Sequence, residues 1–248
     1  MKKYNLTIGW LYPELMSTYG DRGNIITLQK RCEWREITTK IIEFDLGFKE
    51  EDLKKCDFLF MGGAQDKQQQ IAAKDLMKKR NGLKRIIEDN IPGLYICGAY
   101  QFLGKYYKEA DGKIIPCLDI LDFYTENPGI DKPRLIGNVI VEINSTRIVG
   151  FENHGGRTYL GKNIKPLARV IKGFGNNGID KTEGVIYKNS FGSYLHGPIL
   201  PKNPKFADLL IKLALEKKYQ SPINLSPIDD KLENQARLSI AKRLGIKL

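Results

Sequence analysis

The chain has 248 residues, 42% of them hydrophobic, with 40 Lys and Arg against 29 Asp and Glu and a net charge of +11. That length buries a full core as one α/β domain, or one domain with an appendage. No stretch approaches the roughly 18 apolar residues a membrane span needs. The start MKKYNLTIGWLYPELM lacks the apolar segment and small-residue cleavage site of a signal peptide, so none is expected.

In chain order, YNLTIGWLY reads as a strand, and after STYGDRGN the run IITLQKRCEWREI suits a helix beginning near Asn24, a residue type favoured at helix N-caps. TTKIIEFDL reads as a second strand, and CDFLFMGG as a buried strand ending in Gly62-Gly63. DKQQQIAAKDLMKKRNGLKRIIEDN reads as a long helical stretch, broken near Asn81-Gly82. IPGLYIC is another buried-type strand, and AYQFLGKYY starts a helix. This alternation over residues 4–107 predicts a mostly parallel sheet with helices on both faces. In such sheets functional groups collect at the carboxyl ends of the strands, where the glycine pair and Cys97 both fall.

Beyond residue 110 come shorter β-like runs, RLIGNVIVEI, TRIVGFE, ARVIKGF, EGVIYK and FGSYLHG, separated by turn signals. They predict an antiparallel second half that extends the sheet. PKNPKFADLLIKLALEKKY is an amphipathic helix with Pro204 in its first turn. QSPINLSP reads as a linker, and DDKLENQARLSIAKRLGI as a charged helix that covers the domain or grips a partner. The expected division is a catalytic domain over 1–221 and a linker with a terminal helix over 222–248.

The lysines are dispersed among acids on helical stretches. A solvated basic surface accounts for them, with an acidic partner or a membrane-proximal substrate as the alternative. A nucleic-acid-binding reading rests on net charge alone. The four cysteines, Cys32, Cys56, Cys97 and Cys117, form no C-x-x-C pair, which speaks against zinc and disulfide frameworks and fits the reducing cytoplasm.

Cys97 is followed at once by Gly98-Ala99 and a helix, the arrangement of a nucleophile elbow, in which the helix N-terminus favours the thiolate. A buried cysteine ending a core strand is the alternative. His196, where SYLH runs into Gly197-Pro198, is a candidate general base or a capping histidine. The turn GFENHGGRT, with Glu152, Asn153, His154 and Arg157, suits ligand contacts or a self-bonded loop. Gly62-Gly63 is a tight turn or a source of oxyanion donors, with the Gly98 N–H as the second.

Together these blocks resemble the class I glutamine amidotransferases, whose signature places a Gln four residues after the Cys, here Cys97-Gly98-Ala99-Tyr100-Gln101. GFENHGGRT and SYLHGP resemble the branch that includes cobyric acid synthase glutaminase domains. STYGDRGNIITLQKRCEWR and MGGAQDKQQ are similar to the GatD family, glutaminase subunits that pair with a MurT ligase to amidate the peptidoglycan precursor lipid II. The resemblance spans roughly residues 4–218.

The resemblance implies a class I amidotransferase fold with Cys97 as nucleophile and His196 as its base. It implies backbone donors near Gly63 and at Gly98, and Gln101 beside the substrate. It suggests Arg134 for the glutamine carboxylate, against a surface role. The turn carrying Glu152, Asn153 and His154 would shape the pocket wall. ATP and Mg are expected in the partner ligase and no cofactor in this chain, which has no GxxxxGK[ST] loop. The lipid-linked substrate implies a cytoplasmic protein at the inner membrane surface. Pro198 stands where many class I enzymes carry a glutamate two residues after the histidine. The orienting carboxylate is therefore expected from Glu152, from the partner, or not at all, with weak hydrolysis by the isolated chain. A corrinoid amidase subunit and a catalytically silent regulatory subunit are the competing readings; the YGDRGN block speaks against the first, and Cys97, His196, the glycine pair and Gln101 together speak against the second.

Overall fold

The computed structural model describes residues 4–248, apart from the side chains of residues 19 and 66; the opening lysines lie outside it. In chain order the elements are β1 (Asn5–Leu11), α1 (Arg22–Glu33), β2 (Thr38–Phe44), β3 (Phe58–Met61), α2 (Asp66–Met77), α3 (Arg80–Glu88), β4 (Gly93–Ile96) and α4 (Gly98–Phe102). Then follow β5 (Tyr106–Lys108), β6 (Ile114–Pro116), β7 (Phe123–Glu126), β8 (Leu135–Ile143), β9 (Thr146–His154) and β10 (Arg157–Leu160). The chain ends with β11 (Ala168–Lys172), β12 (Thr182–Glu183), β13 (Val185–Tyr187), β14 (Ser190–Ser193), α5 (Pro204–Tyr219) and α6 (Lys231–Arg243).

The main sheet has six strands in the order β13-β14-β4-β3-β1-β2, all parallel except the edge strand β13. Its short central strands are apolar throughout because both faces are covered. Alternation sends Phe58, Phe60, Leu94 and Ile96 to one face, against Leu28 of α1 and Phe206 and Leu210 of α5. Leu59, Met61 and Tyr95 go to the other, against Leu76 of α2 and Leu83 and Ile87 of α3. Each such side chain contributes about 1.5–3 kcal/mol by leaving water. The expected two-faced parallel sheet is present.

Three details differ from the sequence reading. Asn24 does not cap α1; the helix begins two residues earlier, and buried Asn24 accepts the Leu200 N–H at 2.9 Å through Oδ1. The long helix breaks at residues 78–79 rather than at Asn81-Gly82. Gly82 lies inside α3 because a Cβ there would come within 2.8 Å of Glu50 Cβ, and Glu50 accepts its N–H at 2.9 Å. Finally, only β13 and β14 extend the main sheet. The other late strands form two separate four-stranded sheets, β10-β7-β5-β6 and β12-β11-β8-β9. The β8–β9 pair turns through Asn144 and Ser145, whose φ values of 45° and 64° are those of a two-residue hairpin turn matched to strand twist.

Pro204 opens α5 as expected. The tail returns to the body: the Arg31 guanidinium, 1% exposed, holds Asp208 of α5 and also Asp230 just before α6, at 2.6 and 2.7 Å. Ala241 of α6 packs on Ile140 and Val149. Leu232 and Leu238 of the same helix stay exposed.

Candidate active site

The chain leaves β1 toward β2 on one side and then places β3 on the other, so a crevice opens over their carboxyl ends. Four segments converge there: the β1–α1 loop, the glycine pair after β3, the turn from β4 into α4, and the segment after β14.

Cys97 sits at φ 52°, ψ −106°, a conformation L-residues avoid at a cost of about 1–3 kcal/mol. It is held there from both sides, its N–H donating to Ser193 O at 2.8 Å and its carbonyl accepting from Gln101 N at 2.9 Å. The result is the elbow the sequence suggests, with the cysteine half-buried while Cys32, Cys56 and Cys117 are buried. Burial pushes each of those three thiols up to about 12.

His196 follows β14 and bonds through its backbone to Phe151 of β9 in both directions. It is fully buried. Burial alone would lower its basicity, but the facing Cys97 and Asp21 outweigh that and push the imidazolium up to about 10. A Cβ added at Gly63 would lie 2.9 Å from His196 Cε1 and 3.1 Å from Cys97 Cβ, so the glycine lets cysteine, histidine and loop meet. At Gly62 a Cβ would clash with the Met16 carbonyl and sit 2.8 Å from Asp21 Oδ2.

Cys97 and His196 open onto a cavity of about 440 Å³, of the size small-molecule sites use. Arg134 and Asn153 form one wall, with Arg134 Nε donating to Asn153 Oδ1 at 2.9 Å and Nη2 to its carbonyl at 3.0 Å. Thr18, Ala64, Gln65, Lys67 and Gln68 form the facing wall. These five lie in the STYGDRGN and MGGAQDKQQ blocks, which the sequence singled out without naming them.

Of the proposed site residues, then, Cys97, His196, Arg134 and Asn153 meet around one cavity, and Glu152, His154 and Gln101 do not. Neighbouring residues of a strand point to opposite faces. With Phe151 paired to His196 and Asn153 on the cavity, Glu152 and His154 face the interior. Glu152 accepts the N–H groups of Phe174 and Gly175 at 2.8 Å each, so it holds the turn after β11 and does not orient His196. His154 stacks on Tyr194 with centroids 3.7 Å apart and bonds through Nδ1 to Gly156 O at 2.7 Å. Burial lowers its basicity, against the pull of Glu152.

Gln101, also buried, accepts from Gln69 Nε2 at 2.9 Å and donates to the Tyr194 hydroxyl at 3.1 Å. It lies one helical turn beneath the cysteine rather than on the cavity. Gly98 is buried at the start of α4. The Gly63 N–H is already donated to Asp21 Oδ2 at 2.7 Å. Asp21 is the residue the sequence reading passed over. It is fully buried in the YGDRGN block, and its Oδ1 is 3.7 Å from His196 Nδ1. Chain separation hid it, since Asp21 and His196 are brought together only by the β1–α1 loop.

Among the described residues no helix is long and apolar enough to cross a membrane. The pattern defining the CobB/CobQ-like glutamine amidotransferase domain matches residues 7–204. The GatD subunit of lipid II isoglutaminyl synthase (glutamine-hydrolyzing) of Staphylococcus aureus N315 is 44% identical, over 97% of this chain and 96% of its own length. The same-named subunit of Streptococcus pneumoniae R6 is 42% identical, over 94% of this chain and 89% of its own. A crystal structure of a glutamine amidotransferase superposes with a TM-score of 0.57 at 16% identity, over 84% of this chain and 98% of that one, and shares the fold. The elbow at Cys97, the histidine beside it and these matches over most of the sequence lead to one conclusion: the chain belongs to the CobB/CobQ-like glutamine amidotransferase family.

Proposed function

We propose that this chain is the glutamine-hydrolysing subunit of a lipid II isoglutaminyl synthase. The observation that carries the reading is the strained Cys97 elbow, with His196 beside it and an arginine on the rim of the cavity they share. The near full-length similarity to subunits of that name favours lipid II over a corrinoid substrate.

In this reading the Cys97 thiolate, its proton already passed to His196, attacks the side-chain amide carbon of glutamine. The tetrahedral oxyanion takes N–H bonds from Gly98 and, because the Gly63 N–H is engaged by Asp21, from Ala64 on the cavity wall. As the C–N bond breaks, His196 returns the proton to the departing nitrogen and ammonia leaves. Water, deprotonated by His196, then cleaves the thioester to glutamate. Arg134, braced by Asn153, pairs with the glutamine α-carboxylate.

The ammonia goes to a MurT-like ligase held as a heterodimer partner in the cytoplasm, next to the membrane that carries lipid II. That ligase uses ATP and Mg to activate the α-carboxylate of the D-glutamate in the stem peptide, and the product is D-isoglutamine. The test is to purify the chain with its ligase and follow glutamate release from glutamine, for wild type and Cys97→Ala. Hydrolysis by wild type only is the expected result, and no hydrolysis in any such complex overturns the reading.

A further inference from the structure

The YGDRGN block leaves a fully buried carboxylate beside the histidine, and the mechanism above uses it only to engage the Gly63 N–H. We propose that Asp21 is the positioning residue of His196, supplied by this chain itself, and that the same carboxylate fixes the loop after β3 that shapes the oxyanion site. The inference rests on the glutaminase reading for its consequence, but its geometry stands apart from it.

Each oxygen of Asp21 has a separate task. Oδ2 accepts the Gly63 N–H at 2.7 Å, which turns that amide away from the substrate and leaves the next one, Ala64, at the cavity. Oδ1 faces His196 Nδ1 at 3.7 Å, an ion-pair distance in a site that water does not reach. A proton on Nδ1 attracted by Oδ1 leaves Nε2 as the nitrogen for the thiol. Catalytic contacts are commonly this long before substrate binds and tighten in the loaded complex.

The backbone is built around the contact. Gly62 and Gly63 lack the Cβ atoms that would push Asp21 and His196 apart. Behind His196, buried Glu183 accepts the Tyr194 N–H at 2.7 Å and the Ser193 hydroxyl at 3.2 Å, fixing the segment that delivers the histidine. The charged and titratable groups acting on His196 are thus Cys97 and Asp21, with Glu183 behind. Burying a carboxylate with one N–H donor is costly unless a cation faces it, and His196 is that cation.

The test is Asp21→Asn in the full chain. Asparagine keeps an acceptor for the Gly63 N–H and removes the charge, which separates positioning from scaffolding. Two readouts are taken, with thermal unfolding as the control. The first is the pH dependence of Cys97 alkylation by iodoacetamide, which needs neither glutamine nor a ligase. Without Asp21 the His196 imidazolium gives up its proton at lower pH, so the step in alkylation rate that marks its loss moves down by about one pH unit. The second is kcat for glutamine hydrolysis in the ligase complex, expected to fall on the order of 10²-fold with KM nearly unchanged.

A wild-type alkylation profile and wild-type kcat in Asp21→Asn overturn the proposal. A wild-type complex that hydrolyses no glutamine overturns the glutaminase reading alone, and the alkylation arm still decides Asp21. If Asp21→Asn does not fold, the wild-type chain supplies the answer, because it has only two histidines to resolve by isotope-labelled NMR. A His196 that keeps its proton on Nδ1 when the ring loses its charge at high pH supports the proposal, and one that keeps it on Nε2, or is already neutral at pH 7, overturns it.

Discussion

Two polar regions meet at Cys97, and they do different work. In front of the cysteine, Arg134 and Asn153 on one side and Thr18, Ala64, Gln65, Lys67 and Gln68 on the other border open space. Behind it, Gln69, Gln101, Tyr194, Thr158 and Thr125 form a buried chain of hydrogen bonds between 2.6 and 3.1 Å. Both regions carry family motif residues. A motif therefore marks a site without saying which members touch substrate; burial and strand parity decide that. The front region should control glutamine binding and turnover, and the back region should control stability.

The largest effect separates the reacting group from everything else. Cys97→Ala should lower glutamine hydrolysis by at least about 10⁴-fold, measured as glutamate release. Its unfolding temperature should stay within a few degrees of wild type, because the removed sulfur is half-buried. Next, Arg134→Ala should raise KM for glutamine roughly 10- to 100-fold, the worth of one charge-assisted bond, with little change in melting. Steady-state kinetics and a thermal melt on the same preparation check both halves.

The mirror image is Gln101→Ala. It strands the Gln69 amide in a dry interior and leaves the Tyr194 hydroxyl to Thr158, so stability should fall by about 1–3 kcal/mol in urea titration. A strong rise in KM without that loss would move Gln101 to the front region.

The smallest effect is a slope. The Glu183 carboxyl is pushed up to about 8 by burial, against the N–H of Tyr194 that favours its charge. A raised folded value contributes stability that is fully present below the unfolded pKa of about 4.3 and is lost as pH rises through about 8. His196, raised to about 10, loses its contribution over a higher window, from about 6.5 up through about 10. Urea midpoints should therefore decline from pH 5 toward pH 10, and Glu183→Gln should flatten the lower part of that decline. A midpoint that climbs with pH over this range would contradict the burial of Glu183.

Much of the front region was legible in the sequence, because its signals are local. A buried strand, a cysteine and two small residues in a row suit an elbow, and a glycine pair at a strand end suits close approach. The helix start near Asn24 was misread because a tertiary bond to Leu200 claims that side chain before it can cap anything. The second half was misread as one extended sheet because strand runs do not state their partners. Glu152 was placed on the wrong side because strand parity is fixed by pairing, here Phe151 with His196. Asp21 lay inside a quoted block and still escaped, since only the folded chain sets it against a histidine so far along the sequence.

The most direct test of the central claim is peptide mapping by mass spectrometry after treatment with a chloroketone analogue of L-glutamine, with and without excess glutamine. The account predicts a single adduct, on Cys97 alone among the four cysteines, formed at neutral pH and suppressed by glutamine. Labelling of Cys32, Cys56 or Cys117 at a comparable rate, or Cys97 labelling indifferent to glutamine, would contradict it.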